Sequence, residues 1–169
     1  MEAIRQVPGL QPFALDFSLA MMQTGRQRPM AEAVLWSAGD ALSLPFPAET
    51  FDAVVSGFLL RNVADINLSL REQVRVLKPG GVLVALDTTR PRESLLSPFM
   101  RFHMEVIIPM LGNLVARQPE AYRYLPSSTE GFLSAEQLAA RMISAGLQEV
   151  SFHLLMFGAA AIHWGVKAR

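Results

Sequence analysis

Three acids punctuate this chain at comparable places. Asp16 follows the apolar run Pro12–Leu15, Asp40 closes Ser37-Ala-Gly-Asp after Ala33–Trp36, and Asp87 follows Val82–Leu86. Ligands in open parallel sheets bind outside the carboxyl ends of the strands, so a carboxylate at each such end is placed to accept hydrogen bonds from a bound molecule. Aspartate also favours turns and helix N-caps, which is the plainer reading of any one of them. The sequence has no cysteine, which excludes thiol nucleophiles, disulfides and thiolate metal sites. No His, Asp and Glu residues fall at metal-ligand spacing, and no metal is expected.

The elements that would carry these acids follow from hydrophobic spacing. Leu19 and Met22 mark the inner face of a helix over 18–26. Phe51–Phe58 reads as a short, β-branched, buried strand. Ile66, Leu70, Val74 and Leu77 recur at helical spacing, and Lys78-Pro-Gly-Gly81 stops that helix. Ser134-Ala-Glu-Gln137 is a capping box opening a helix with Leu138, Met142 and Ile143 inward, closed by Gly146. Residues 149–155 and 159–166 read as a hairpin turning at Phe157-Gly158-Ala159. Near-continuous apolar strands alternating with amphipathic helices predict an α/β fold with a covered parallel sheet.

Composition narrows the function classes. The 169 residues are 51% hydrophobic and 18% charged, which excludes a disordered chain and fits one domain. Fifteen basic and fifteen acidic residues cancel, so there is no basic surplus for nucleic acid. No run is long and clean enough for a membrane span, and no export signal is seen.

Asp40-Ala-Leu-Ser-Leu-Pro-Phe-Pro, Phe51-Asp-Ala-Val, Leu60-Arg-Asn-Val and Arg75-Val-Leu-Lys-Pro-Gly-Gly81 together resemble a class I S-adenosylmethionine-dependent methyltransferase. Leu60-Arg61-Asn62-Val63, Glu120-Ala-Tyr-Arg-Tyr-Leu125 and Ala161-Ile-His-Trp-Gly165 are narrower. They are similar to the ubiquinone/menaquinone biosynthesis C-methyltransferase family, and the resemblance runs from about residue 12 to 167. It implies a Rossmann-like sheet with an antiparallel last strand, in a single domain over 1–169 with an apolar helical insertion at about 93–130. The family's first strand and Gly-rich loop have no counterpart here. The chain is expected to start just after them, with two strand edges left unpaired. A shortened sequence, a degenerate relative and a strand supplied by another chain are the three explanations.

The resemblance also implies roles. Asp16 would accept the cofactor ribose hydroxyls, and Asp40 with Ala41 would read adenine. Gly57 sits where the family often has Ser, leaving its backbone to serve the cofactor, while Ser56 faces the other way. Arg61 would hold a quinol oxygen or its phenolate; a surface ion pair with Asp65 is the plainer reading. Tyr122, Arg123 and Tyr124 would cap the acceptor or simply pack a lid. His163 would act as base, or fill an apolar strand as a structural histidine.

The implied reaction is methyl transfer from S-adenosylmethionine to a ring carbon of a polyprenyl quinol. Demethylmenaquinol is the first choice and the ubiquinone-pathway benzoquinol the second. A cytoplasmic protein in peripheral contact with the inner membrane face is expected, with no nucleic-acid partner and a homo-oligomer left open. The alternatives are a non-catalytic relative that binds quinone or a partner, and a methyltransferase for another lipid or small molecule.

Overall fold

The computed structural model describes residues 6, 7, 9–90 and 132–169. Tyr122, Arg123, Tyr124 and the expected insertion at about 93–130 lie outside the described residues. The chain divides into two units, residues 1–47 and 48–169.

In the first unit, β1 (Phe13–Asp16) and β2 (Leu35–Ala38) pair in parallel, with Asp16 opposite Ala38. Parallel neighbours need a crossover, and α1 (Leu19–Arg26) supplies it. Ser18 caps α1, its hydroxyl accepting from the Met21 N–H at 3.3 Å. Gly25 lets the helix meet β2, because a Cβ there would lie 2.4 Å from the Trp36 ring. Met22 is buried as expected, but Leu19 is exposed. Two strands cover only part of a helix, and the first turn is left in water. β2 starts two residues later than its apolar run suggests. A 3-10 turn over Ala31–Ala33 takes up the start of that run, closed by the Val34 N–H on the Ala31 carbonyl at 3.1 Å.

The second unit contains β3 (Phe51–Gly57), α2 (Ile66–Val76), β4 (Leu77–Thr88), α3 (Ala135–Ser144), β5 (Leu147–Leu155) and β6 (Ala160–Lys167). Strand order is β3-β4-β6-β5; β3 and β4 are parallel, and β6 is antiparallel to both neighbours. The antiparallel last strand is thus present. Asp65 caps α2, accepting from the Leu68 N–H at 3.0 Å. Leu70, Val74, Leu77, Leu83, Ala85, Leu138, Met142 and Leu147 form the core under α2 and α3.

Three expectations change. Lys78-Pro-Gly-Gly81 does follow the end of α2 at Val76, but it belongs to β4. Leu77 already pairs with Phe51, and the four residues bulge out before the ladder resumes at Ala53–Val82. Gly80 takes the left-handed turn this needs (φ +78°), and Lys78 Nζ bonds Asp52 Oδ1 at 2.8 Å. β3 is not a buried strand. Among the described residues it pairs with β4 alone, and Val55, on the face opposite Val54 and Ser56, is 76% exposed. Ile143 is 59% exposed. It lies about 140° around the helix from Leu138, whereas Met142 stacks directly below Leu138.

Met142→Ala is therefore expected to cost about 2–5 kcal/mol and Ile143→Ala less than about 0.5 kcal/mol. Urea midpoints at unchanged slope would check both.

Candidate active site

The carboxyl ends of β3 and β4 meet at Asp87. Its side chain is 1% exposed. Oδ1 accepts from the Thr88 N–H at 2.8 Å, and Oδ2 accepts from the Arg61 N–H at 3.3 Å. The guanidinium of Arg61 stands beside it, Nε 3.8 Å from Oδ1. Burial pushes the Asp87 carboxyl above its ordinary pKa; the N–H groups of Thr88 and Arg61 and the guanidinium oppose that rise.

Arg61 lies in a 3-10 turn, Leu60–Asn62, that Leu60 roots in the core at 1% exposure. The ion pair with Asp65 that sequence spacing suggested is not formed: the partner is Asp87, and Asp65 caps α2. Before the turn, Phe58 has a left-handed backbone, φ +54°, strained for a bulky residue. Its N–H donates to the Leu86 carbonyl at 2.8 Å, and its carbonyl accepts from Asn62 Nδ2 at 2.8 Å. These two bonds hold its half-exposed ring 5.0 Å from the Arg61 guanidinium carbon. Nε and Nη1 of Arg61 are buried with no hydrogen-bond partner among the described residues. Buried, unpartnered guanidinium donors are costly, and they suit an incoming oxyanion.

His163 stands on β6 opposite Ala85 and Phe152 and is 1% exposed. Its Nε2–H donates to the Ala135 carbonyl at 2.9 Å, which leaves Nδ1 with the lone pair and no partner among the described residues. The imidazole therefore pins the first residue of α3 to the sheet. Burial lowers its pKa; the Ala135 carbonyl and the charges of Asp87 and Glu136 oppose the fall. Ser56, expected to face away from Gly57, is buried opposite Ala85, its Oγ without a partner among the described residues.

The expected cofactor residues fall on both units. Asp16 Oδ1 accepts from the Ser18 N–H at 2.8 Å, and Asp40 Oδ1 accepts from the Leu42 N–H at 2.8 Å. Each acid caps its own turn with one oxygen and lies exposed beyond adjacent parallel strands, where a second oxygen can take a hydroxyl or amino hydrogen. Ala41 is buried beside Asp40. A Cβ built on Gly57 would meet nothing within 4 Å, so its backbone borders open space. Within the first unit, the two carboxylates offer the acceptors that a ligand bearing hydroxyl and amino groups requires. Phe58 was not singled out as a site residue, although its place between Gly57 and Arg61 was a signal. For Asp87 the sequence offers only its strand-end position.

A model of the ubiE/COQ5 methyltransferase family matches residues 6–167. The chain belongs to that family. A Desulfotalea psychrophila relative named ubiquinone/menaquinone biosynthesis C-methyltransferase is 44% identical over 163 residues, 96% of this chain and 66% of its own. A Roseiflexus castenholzii demethylmenaquinone methyltransferase is 40% identical over 99% of this chain and 70% of its own. The chain spans about two thirds of the length of these relatives. Among solved structures, an S-adenosylmethionine-dependent methyltransferase from Thermotoga maritima superposes with a TM-score of 0.62 at 23% identity, covering 92% of this chain and 72% of its own. Human N-acetylserotonin methyltransferase in complex with S-adenosylmethionine superposes at 0.65 and 18%, covering 99% and 44%. These likenesses show the class I methyltransferase fold.

A pH prediction follows from His163. With its pKa lowered on folding, the folded chain binds fewer protons than the unfolded one below about pH 6.5, so stability falls as pH drops through that point. His163→Gln keeps a donor for the Ala135 carbonyl and does not titrate. The difference in unfolding free energy, wild type minus variant, should rise with pH between about 5 and 7. Parallel curves would contradict it.

Proposed function

We propose that this protein carries out S-adenosylmethionine-dependent C-methylation of a reduced polyprenyl quinone precursor. The observation that carries the reading is Nε and Nη1 of Arg61, buried and without a hydrogen-bond partner among the described residues, beside the Asp87 carboxylate and the Phe58 ring at the strands' carboxyl ends. The names of the relatives support a quinol acceptor. The Roseiflexus relative favours demethylmenaquinol over the benzoquinol.

Asp16 would accept the two ribose hydroxyls, and Asp40 with the Ala41 amide would read the adenine. Gly57 would let the backbone approach the ligand. The cofactor, when bound, supplies an electrophilic methyl group on a sulfonium. Arg61 would hold the ring oxygen of the acceptor as an oxyanion, which pushes electron density to a ring carbon. That carbon would form the new carbon–carbon bond as the methyl–sulfur bond breaks and S-adenosylhomocysteine leaves. It would then lose its own proton to water as the ring regains aromaticity. Water takes the oxygen's proton. The His163 lone pair at Nδ1 is buried and weakened as a base, so His163 is left to anchor α3. Tyr122, Arg123 and Tyr124 are assigned to covering the acceptor on the family resemblance. Much of the rate would come from holding two reactants in line. A lipid-tailed acceptor also implies peripheral contact with a membrane; among the described residues no helix is long and apolar enough to cross one.

Labelled methyl transfer to a short-tailed demethylmenaquinol should be measurable, and Arg61→Ala should lower kcat by about 10²–10³. Unchanged turnover in that variant would remove Arg61 from the mechanism. No turnover by the wild type would favour a non-catalytic relative.

A further inference from the structure

β5 turns back into β6 through residues 156–159, closed by the pairing of Leu155 with Ala160. Met156 and Phe157 both take left-handed backbones, φ +49° and +56°, followed by Gly158 at +89°. Glycine and asparagine occupy such positions at little cost; methionine and phenylalanine do not. Neither side chain gains burial in return. Met156 is 70% exposed and Phe157 is 92% exposed, with Leu154 exposed just before them. From Val150 to Val166 there is no Asp, Glu, Lys or Arg. A strained turn that holds two large apolar side chains in water works against stability, and such features mark contact sites.

The turn's place in the sheet says what it would contact. β6 runs antiparallel to β4, with Thr88 opposite Ala160 and Asp87 opposite Ala161. The Thr89 N–H donates to the Ala159 carbonyl at 3.1 Å. The Met156–Phe157 tip therefore stands at the same end of this sheet as Asp87 and Arg61.

We propose that Met156 and Phe157 insert into the interface of a lipid bilayer and turn the Asp87–Arg61 end of the sheet toward it. This rests on the proposed reading in one respect: a polyprenyl acceptor resides in the bilayer. Two side chains and a neighbouring leucine are far too small for a stable protein interface, which needs about 1,000 Å². A bilayer takes up apolar side chains one at a time. With no charge in the segment, neutral lipid suffices and salt has little effect.

The test uses the full chain and vesicles of phosphatidylcholine alone, without quinol or methyl donor. Wild type should sediment with the vesicles equally at low and high salt. The double variant Met156→Asn, Phe157→Gly places an Asn-Gly pair in the left-handed turn, so its melting temperature should hold or rise while its partition coefficient falls by about tenfold or more. Failure of the wild type to bind would overturn the proposal. So would equal binding by the variant, binding confined to anionic vesicles and lost in salt, or a variant that loses only self-association. Turnover on a tail-less acceptor separates the two claims. If it persists while vesicle binding fails, only the membrane tip is lost; if vesicle binding holds while turnover is absent, only the catalytic reading is lost.

Discussion

A carboxylate taken out of water must be met by donors, and Asp87 is met from two directions. The Thr88 N–H continues its own strand; the Arg61 N–H comes from the turn after β3. That second bond ties the end of β4 to the segment carrying the candidate phenolate-binding cation. Were Asp87 solvated, the turn would lose its bond to the end of β4 and the guanidinium its reason to stay beside the acid. Burial that raises the carboxyl pKa is thus the same burial that makes its hydrogen bonds strong.

The rest of the second unit secures this corner. Leu60 roots the turn in the core, and Asn62 and the Leu86 carbonyl clamp Phe58 in a backbone state it would not adopt alone. Asp65 starts α2 right after the turn, which fixes the turn's exit. On the same face of the sheet as Asp87, His163 fastens α3 to β6 through the Ala135 carbonyl. Strain at Phe58, and nitrogens on Arg61 without a partner among the described residues, are local violations of good folding chemistry, and such violations are expected where function outweighs stability.

Much of the fold was legible because its signals are local. The stripe Ile66, Leu70, Val74 describes α2, the Ser134–Gln137 box opens α3, and the Gly158 turn separates β5 from β6. What could not be read depends on neighbours. Phe51–Phe58 is apolar enough to read as buried, yet only the face with Val54 and Ser56 meets the core, and Lys78–Gly81 reads as a helix stop although its pairing with β3 makes it a bulge. The places of Asp16 at the end of β1 and of Asp40 just past β2 were readable, while their roles came only from the family resemblance. The partner of Arg61 was not, since Asp65 is four residues away and Asp87 twenty-six. A buried acid reached by chain folding outcompetes a nearby exposed one, which the helix N-terminus had already engaged.

The central claim is that Asp87 acts through Arg61 to hold an aromatic oxyanion. The most direct measurement is a double-mutant cycle on the binding of 1-naphtholate to the full chain, using Arg61→Ala, Asp87→Asn and the pair, with melting curves showing each variant folded. Each single change should weaken binding, and the double variant should be no worse than Arg61→Ala alone. Independent losses that add in the double variant, or naphtholate binding indifferent to both residues, would contradict it.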